Sequence, residues 1–228
     1  MPSERLLVNK PSDWDVYLVT DRSLLSGRSL LSVVHAAVEG GVSVVQLREK
    51  ILPTRAFYEQ GIEIRDYLRS RGIPLLINDR IDIALALDAD GVHLGRDDMP
   101  PEIARRLMGP DRIIGLSVNE PAHLTEGTAR CADYLAVSPV FFTPTKEDIT
   151  TPWELEGLRR ARALTDMPLV AIGGIKRANS RQVTEWGADC VAVVSEIMAA
   201  EDPREASRAL VEEVREGKLR RACQSPHL

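Results

Sequence analysis

Short apolar runs recur along the chain and alternate with amphipathic segments. Eight runs rich in valine, isoleucine, leucine and alanine occupy 15–20, 42–48, 74–79, 91–95, 113–118, 134–140, 168–174 and 190–196. Nearly continuous apolar runs of this length are typical of parallel strands that are covered on both faces. Between them, segments such as "SLLSVVHAAVEGG" carry apolar residues at helical spacing and end in glycine, as helices often do. The pattern therefore predicts strands and helices in alternation.

Eight strand–helix units in 228 residues fit a single (β/α)8 barrel, the TIM barrel. An open doubly wound sheet is the alternative, but it normally carries GxGxxG after its first strand, and "VTDRSLLSG" lacks that spacing. We predict one TIM-barrel domain over 1–228, in which 1–14 form an N-terminal extension or a helix that plugs the lower end of the barrel. The basic residues of about 217–228 are predicted to form a flexible tail.

Composition argues against several classes of function. The net charge of −5 is unlike that of a protein that coats nucleic acid or a membrane surface. No apolar run approaches the roughly 20 residues of a transmembrane helix, and "MPSERLLVNKPSDW" is too polar for a secretory signal. Cys131, Cys190 and Cys223 have no CxxC spacing, and Cys190 opens an apolar run and is predicted to be buried. A cytoplasmic location fits best, and the sequence leaves the oligomeric state open, a homo-oligomer included.

Polar side chains follow nearly every predicted strand. Because the active sites of TIM barrels lie at the C-terminal ends of the strands, we expect these side chains to face one mouth. In chain order the polar side chains are Gln46, Arg48, Lys50, Asn78, Asp79, Asp97, Asp98, Ser117, Thr143, Thr145, Lys146 and Ser195, and strands seven and eight also end in Gly173, Gly174 and Val194. Alternation along the second strand places Gln46, Arg48 and Lys50 on one side and turns Glu49 away.

The charges at this mouth predict a metal and a highly charged ligand. Asp79 and Asp98 close on the same mouth as several cations, which favours a divalent ion with oxygen ligands, Mg²⁺ in the first instance. Arg48, Lys50 and Lys146 would then neutralise a polyanion such as a diphosphate together with that ion. Solvated loop acids are the alternative interpretation of the two aspartates.

A second anion site is predicted across the mouth. Glycine lets the backbone approach a ligand closely, and the loops after strands seven and eight form the usual phosphate cradle of these barrels. Gly173 and Gly174 would line it, and Ser195 would add a hydroxyl donor. Two polar residues have simpler interpretations: Asn78 could cap the following helix, and His93 is more often a hydrogen-bonded core histidine than a catalyst.

The chain resembles the thiamine phosphate synthase family from about Val16 to Pro203. The resemblance is carried by "VVQLREK", "LLINDRIDIALALDADGVHLGRDDM", "IIGLSV", "TPTKED", "VAIGGI" and "GADCVAVVSEI", in this order. It implies a transferase of thiamine biosynthesis. The reaction joins 4-amino-2-methyl-5-(diphosphooxymethyl)pyrimidine to 4-methyl-5-(2-phosphoethyl)thiazole, or to its 2-carboxy form, and releases pyrophosphate.

The resemblance also implies a role for each matching residue. The pyrimidine diphosphate would be bound by Gln46, Leu47, Arg48, Glu49, Lys50, Asn78, Ser117 and Lys146. The thiazole phosphate would be bound by Thr143, Pro144, Thr145, Gly174, Val194 and Ser195. Asp79 and Asp98 would ligate one Mg²⁺ per subunit. The catalytic residues would be Arg48, Lys50, Ser117 and Lys146, which stabilise the departing pyrophosphate, so no acid–base triad is required.

Three alternatives remain open from the sequence. A thiazole tautomerase of the same superfamily often lacks the second metal acid and the lysine of strand two, whereas Asp98 and Lys50 are both present. A sugar-phosphate epimerase or an indole-forming synthase needs acid–base pairs or a strand lysine that the sequence does not show. A non-catalytic thiazole phosphate-binding barrel would be expected to lose the metal acids. Trp153 and Glu154 replace a usual glycine turn, which leaves the loop over the site and the thiazole preference undetermined.

Overall fold

The protein folds as a closed barrel of eight parallel strands, with β1 paired to both β2 and β8. The computed structural model describes residues 10–143 and 151–224. The strands are β1 Val16–Val19, β2 Val44–Leu47, β3 Leu75–Asn78, β4 Gly91–Leu94, β5 Ile113–Val118, β6 Tyr134–Val137, β7 Leu169–Ile172 and β8 Cys190–Val193. Each lies within one of the predicted apolar runs, so the TIM-barrel prediction is confirmed.

Helices follow the strands with one exception. They are α1 Leu30–Glu39, α2 Thr54–Ser70, α3 Ile81–Ala86, α4 Pro101–Met108, α5 Glu154–Leu164, α6 Arg177–Glu185, α7 Ser195–Met198 and α8 Pro203–Gln224. Between β5 and β6 the chain forms two short 3₁₀ segments, Pro121–Leu124 and Gly127–Cys131, in place of an α-helix. The strand–helix alternation is therefore less regular than predicted.

Alternation along the short strands separates two apolar layers. The side chains of Val16, Leu18, Val45 and Leu47 belong to the large cluster between the strands and the helices. Those that fill the barrel interior are Tyr17, Val19, Val44, Leu76, Tyr134, Ala136, Val170, Cys190 and Ala192. Such interior filling makes the barrel a packed core and not a pore.

Trp14 closes the lower end of the barrel. Its side chain is fully buried and meets the rings of Tyr17 and Tyr134 edge-on, with centroids 5.7 and 5.3 Å apart. The chain before it forms a 3₁₀ turn at Pro11–Asp13, and residues 1–9 of the predicted extension lie outside the described residues. Among the described residues Trp14 fills the lower end of the barrel, and the extension or helix predicted before it stays a prediction.

The prediction of a flexible tail from about 217 is wrong as far as residue 224, because α8 continues through Gly217. A Cβ at Gly217 would lie 2.1 Å from Oγ1 of Thr184, so glycine lets α8 pack closely on α6. The next residue, Lys218, binds the carboxylate of Asp15 at 2.7 Å. These tertiary contacts outweigh the local helix-stop signal of Gly217, so the helix continues. Residues 225–228 lie outside the described residues.

No described helix is long and apolar enough to cross a membrane.

The cysteines are unpaired, as their spacing in the sequence indicated. Cys131, Cys190 and Cys223 are free thiols. Cys190 is fully buried inside the barrel, as predicted, and this burial raises the pKa of its thiol. It is therefore a core residue and not a reactive one.

Candidate active site

Arg48 and Glu49 lie on opposite sides after β2, as alternation predicts. The guanidinium of Arg48 approaches the carboxylate of Asp21, with Nη1 and Oδ2 3.6 Å apart. Glu49 turns away and accepts a hydrogen bond from Nε of Arg22 at 2.8 Å, with only 3% of its side chain exposed. Burial raises the pKa of Glu49, but its hydrogen bonds from Arg22 and from loop N–H groups outweigh burial and lower it.

These positions divide the predicted diphosphate segment into two kinds of residue. Glu49 also accepts the N–H groups of Ile51 and Leu52, so its carboxylate shapes the β2–α2 loop. Leu47 is fully buried in the cluster outside the barrel. Only the backbones of Leu47 and Glu49 could therefore serve the predicted ligand, whereas Gln46, Arg48 and Lys50 project toward the mouth.

The two predicted metal ligands lie together at the mouth. The carboxyl groups of Asp79 and Asp98 lie near enough to each other that each shifts the pKa of the other. Lys50 donates to Oδ2 of Asp79 at 2.6 Å, and the N–H of Gly95 donates to Oδ2 of Asp98 at 2.6 Å. Asp79 follows β3 with a φ of 60°, a left-handed conformation that aspartate tolerates better than most residues. The chain turns sharply here and brings the carboxylate back over the mouth.

The pKa values of this carboxyl pair move in opposite directions. Burial raises the pKa of Asp79, but the hydrogen bonds and charge of its neighbours, Lys50 above all, outweigh burial and lower it. Burial raises the pKa of Asp98, and the adjacent carboxylate of Asp79 raises it further. Two carboxylates this close favour a shared proton or a cation between them.

The carboxyl pair fits the donor set that Mg²⁺ takes in proteins. This ion is commonly held by one or two carboxylates, with water and substrate phosphates completing the coordination. Across 10–143 and 151–224, no group of three or more His, Cys, Asp and Glu residues is arranged to hold a metal. The described residues thus offer a two-carboxylate site that needs a phosphorylated ligand to complete it.

Asn78 does not cap the following helix, which was the alternative role predicted for it. The N-cap residue of α3 is Arg80, and no side chain caps this helix. Asn78 instead stands beside His93 in the register of β3 and β4. Its place at the end of β3 next to Asp79 is consistent with the predicted ligand role, which stays a prediction.

A line of hydrogen-bonded side chains crosses the barrel interior beneath the mouth. Nε2 of Gln46 donates to Oη of Tyr17 at 2.5 Å, and this hydroxyl lies 3.0 Å from Oη of Tyr134. Nδ1 of His93 lies 2.8 Å from Oη of Tyr134, and its Nε2 lies 2.9 Å from Oγ of Ser117. His93 is thus hydrogen-bonded on both ring nitrogens, as the simpler interpretation expected. The sequence analysis missed the two tyrosines, although inward alternation on β1 and β6 was a signal for them.

Gly173 and Gly174 have a packing role that the sequence analysis did not foresee. Their φ values are 102° and 64°. A Cβ at Gly173 would lie 2.7 Å from Cβ of Pro139, and one at Gly174 would lie 2.7 Å from Cβ of Phe141. The two glycines therefore let the loop after β6 cross directly over the end of β7. This loop begins the segment that carries the predicted thiazole phosphate residues.

The other end of this loop is tied to the barrel. The N–H groups of Trp153 and Glu154 donate to the carbonyls of Pro139 and Val140 at 3.0 and 2.9 Å. Thr143 is the last residue described before the gap. The predicted ligands Pro144, Thr145 and Lys146 lie outside the described residues.

A lysine that the sequence analysis overlooked lies beside the predicted phosphate cradle. Nζ of Lys176 donates to Oγ of Ser195 at 3.1 Å and lies 3.2 Å from the carboxylate of Glu196. Val194 and Ser195 stand at the start of α7, opposite the turn at Gly174. The position of Lys176, two residues after Gly174, was the sequence signal that could have pointed to it. The cradle therefore holds one positive charge besides the hydroxyl.

The fold and this mouth are those of a TIM-barrel enzyme that handles phosphorylated substrates. The family model described as thiamine monophosphate synthase matches residues 16–197. The chain belongs to the thiamine-phosphate synthase family, and the predicted resemblance is confirmed.

Individual relatives agree with this assignment. The chain is 55% identical over 199 residues to the thiamine-phosphate synthase of Syntrophomonas wolfei, which covers 87% of this chain and 95% of the relative. It is 55% identical over 188 residues to that of Albidiferax ferrireducens, with coverages of 82% and 86%. The solved thiamine phosphate pyrophosphorylase from Pyrococcus furiosus matches with a TM-score of 0.83 at 39% identity, covering 91% of this chain and 98% of that one.

Proposed function

We propose that this protein condenses 4-amino-2-methyl-5-(diphosphooxymethyl)pyrimidine with 4-methyl-5-(2-phosphoethyl)thiazole, or its 2-carboxy form, to give thiamine phosphate and pyrophosphate, with CO2 also released from the 2-carboxy form. The reaction takes place in the cytoplasm, with one Mg²⁺ per subunit. The observation that carries the proposal is the cluster of Asp79, Asp98 and Lys50 at the mouth of a barrel of this family. A binding site for thiazole phosphate alone would have no use for it.

The diphosphate side supplies charge neutralisation. Mg²⁺, when bound by Asp79 and Asp98, supplies Lewis-acid stabilisation of the negative charge that develops on the leaving group. Lys50, which donates to Asp79 at 2.6 Å, would bind the diphosphate oxygens, and Arg48 would bind them from the same side. The C–O bond to the diphosphate breaks with its electron pair leaving on pyrophosphate, and these cations stabilise that charge.

The opposite side orients the nucleophile. Val194, Ser195 and the turn at Gly174 hold the thiazole phosphate, and Lys176 adds a charge 3.1 Å from the Ser195 hydroxyl. The lone pair of the thiazole nitrogen then forms the new C–N bond at the pyrimidine methylene carbon. A neutral nitrogen needs little base assistance, so holding the two rings in line is the main task of the protein.

The rival functions use only part of this site. A thiazole tautomerase or a non-catalytic thiazole phosphate-binding barrel would need the cradle at Gly174 and Ser195 but not the acid pair. Retention of two partly buried, mutually repelling carboxylates lowers stability in the absence of a cation. Their presence favours the synthase.

Pyrophosphate release tests the proposal directly. Mixing the purified chain with both substrates and Mg²⁺ is expected to give pyrophosphate and thiamine phosphate in equal amounts, and EDTA is expected to stop both. Thiazole phosphate binding without pyrophosphate release would overturn the synthase assignment and favour the tautomerase or binding barrel.

Replacing Arg48 or Lys146, the predicted cations of the diphosphate side, should raise the activation free energy by about 3–4 kcal/mol. We expect Arg48→Ala and Lys146→Ala each to lower kcat/KM by about 10²–10³-fold at saturating Mg²⁺, comparable to the loss of one preorganised donor. Steady-state kinetics with the exposed Arg160→Ala as control measures this. Near-normal turnover of both variants would contradict the charge-neutralisation role.

A further inference from the structure

Inside the barrel, polar side chains stand where most neighbours are apolar. Tyr17 and Tyr134 are 1% and 0% exposed and lie among valine, leucine and alanine. Gly115 makes room for the ring of Tyr134, since a Cβ there would lie 2.0 Å from Cζ. The barrel is thus built around a line of hydroxyl and imidazole groups that ends at Gln46 on one side and Ser117 on the other. Both ends are predicted ligands of the pyrimidine diphosphate.

The two phenols are neutral, so each has one hydrogen to donate. Burial raises the pKa of Tyr17 and Tyr134 far above the physiological range. Tyr17 accepts a hydrogen bond from Nε2 of Gln46, and its second partner is Tyr134. If Tyr134 donated to Tyr17 as well, the Tyr17 hydrogen would have no acceptor, which costs about 1–3 kcal/mol for a buried donor. Tyr17 therefore donates to Tyr134.

The same reasoning continues to the far end of the line. Tyr134, having accepted from Tyr17, donates to Nδ1 of His93 across 2.8 Å. Nδ1 then carries no hydrogen, and a neutral His93 carries its hydrogen on Nε2. This nitrogen donates to Oγ of Ser117 across 2.9 Å. With Nε2 of Gln46 as the donor to Tyr17, this is the direction in which both tyrosine hydrogens have an acceptor, whereas the reverse direction would require the Gln46 amide oxygen to face Tyr17.

The direction decides what Ser117 presents to a ligand. With Nε2–H of His93 as donor, the Ser117 oxygen accepts and its own hydrogen is left to point into the mouth. In the reverse direction Ser117 would donate to His93 and turn lone pairs toward the mouth. An anionic diphosphate is attracted by the first arrangement and repelled by the second.

We propose that the line from Gln46 through Tyr17, Tyr134 and His93 to Ser117 is a positioning device that fixes the tautomer of His93 and aims the Ser117 hydroxyl hydrogen at the diphosphate. Tyr17, Tyr134 and His93 are its positioning residues. The inference rests on the proposed function for the identity of the ligand. The direction of the hydrogen bonds is independent of that ligand.

NMR of the ring nitrogens tests the direction without any substrate. At about pH 8, where an ordinary histidine is neutral, ¹⁵N shifts should show His93 protonated on Nε2 and bare on Nδ1. His93→Gln assigns the signal among the four histidines. Tyr134→Phe should shift Nδ1, and Tyr67→Phe should leave His93 unchanged, because the Tyr67 hydroxyl bonds the His35 carbonyl on the surface. A hydrogen found on Nδ1 in the unchanged protein would overturn the proposal.

A double-variant cycle tests the positioning role. We expect Tyr134→Phe to lower kcat/KM for the pyrimidine diphosphate about tenfold, the worth of one hydrogen bond to a charged group, with KM for the thiazole phosphate unchanged. In a Ser117→Ala background the same change should have little further effect, because the tyrosine acts through the serine. Equal losses in both backgrounds would overturn the role.

Tyr17→Phe provides a second variant if Tyr134→Phe does not fold. It should lower kcat/KM with the same dependence on Ser117. If the unchanged protein releases no pyrophosphate but His93 is protonated on Nε2, the proposed reaction fails while the hydrogen-bond direction stands.

Discussion

Asp79→Asn is expected to abolish most Mg²⁺-dependent turnover while the barrel stays folded. Asparagine has the same shape and tolerates the φ of 60° at this position, so the backbone turn is kept. The lost charge removes one of the two proposed carboxylate ligands and the partner of Lys50 at 2.6 Å. A metal ion at a charged leaving group supplies several kcal/mol, so kcat/KM should fall about a hundredfold or more.

Kinetics and calorimetry together check this expectation. The variant should show weak Mg²⁺ binding in the presence of pyrophosphate, and its activity should not recover at ordinary Mg²⁺ concentrations. Asp97→Asn is the matched control, because Asp97 is an exposed aspartate beside Asp98, and it should behave like the unchanged protein. An unchanged Mg²⁺ dependence in Asp79→Asn would rule out Asp79 as a ligand.

Asp98→Asn is expected to raise the stability of the metal-free protein while it weakens Mg²⁺ binding. The pKa of Asp98 is raised by burial and by Asp79, so its ionisation destabilises the metal-free fold as pH rises through that pKa. An amide keeps the bond from Gly95 and can donate to Asp79. We expect a slightly higher Tm without metal, together with weaker Mg²⁺ binding. A lower Tm would show that the two carboxylates do not repel each other.

Gly115→Ala is expected to be among the most destabilising single changes in the barrel. The added Cβ would lie 2.0 Å from Cζ and 2.2 Å from Oη of Tyr134. That ring cannot retreat, because the ring centroids of Trp14 and His93 lie 5.3 and 5.7 Å away. Overpacking of this kind costs about 1–3 kcal/mol or more.

Thermal unfolding measures the effect. Since 1 kcal/mol shifts Tm by about 2–4 °C in a domain of this size, we expect a fall of about 5–10 °C. Gly127→Ala is the control, because a Cβ there meets nothing within 4 Å. Activity should fall with stability, since Tyr134 holds His93. Equal Tm values for the two variants would show that the barrel interior adjusts more readily than the packing implies.

Much of the site could be predicted because it follows from the strands. Lys50 and Asp79 follow the ends of strands and Ser117 stands near the end of one, and the C-terminal ends of parallel strands in a barrel share one mouth. The turn of Glu49 away from Arg48 followed from the period of two. Neither statement needs knowledge of which strands are neighbours.

Contacts between distant residues could not be predicted in this way. Tyr17 and Tyr134 meet across 117 positions of sequence, and nothing local marks them as partners. Lys176 was overlooked because its relation to Ser195 depends on how β7 and β8 lie side by side. Gly173 and Gly174 were assigned to a phosphate approach, which stays a prediction, and only the structure shows that the loop after β6 also requires them.

The sequence by itself determined the barrel, its family and the mouth at which the chemistry is predicted, because apolar periodicity and strand-end residues are local properties of the chain. Only the tertiary structure decided that α8 continues past Gly217, that Trp14 plugs the lower end and that hydrogen bonds run from Gln46 to Ser117. Each of these depends on which side chain packs against which, and packing partners are set by the closed fold and not by neighbours in the sequence.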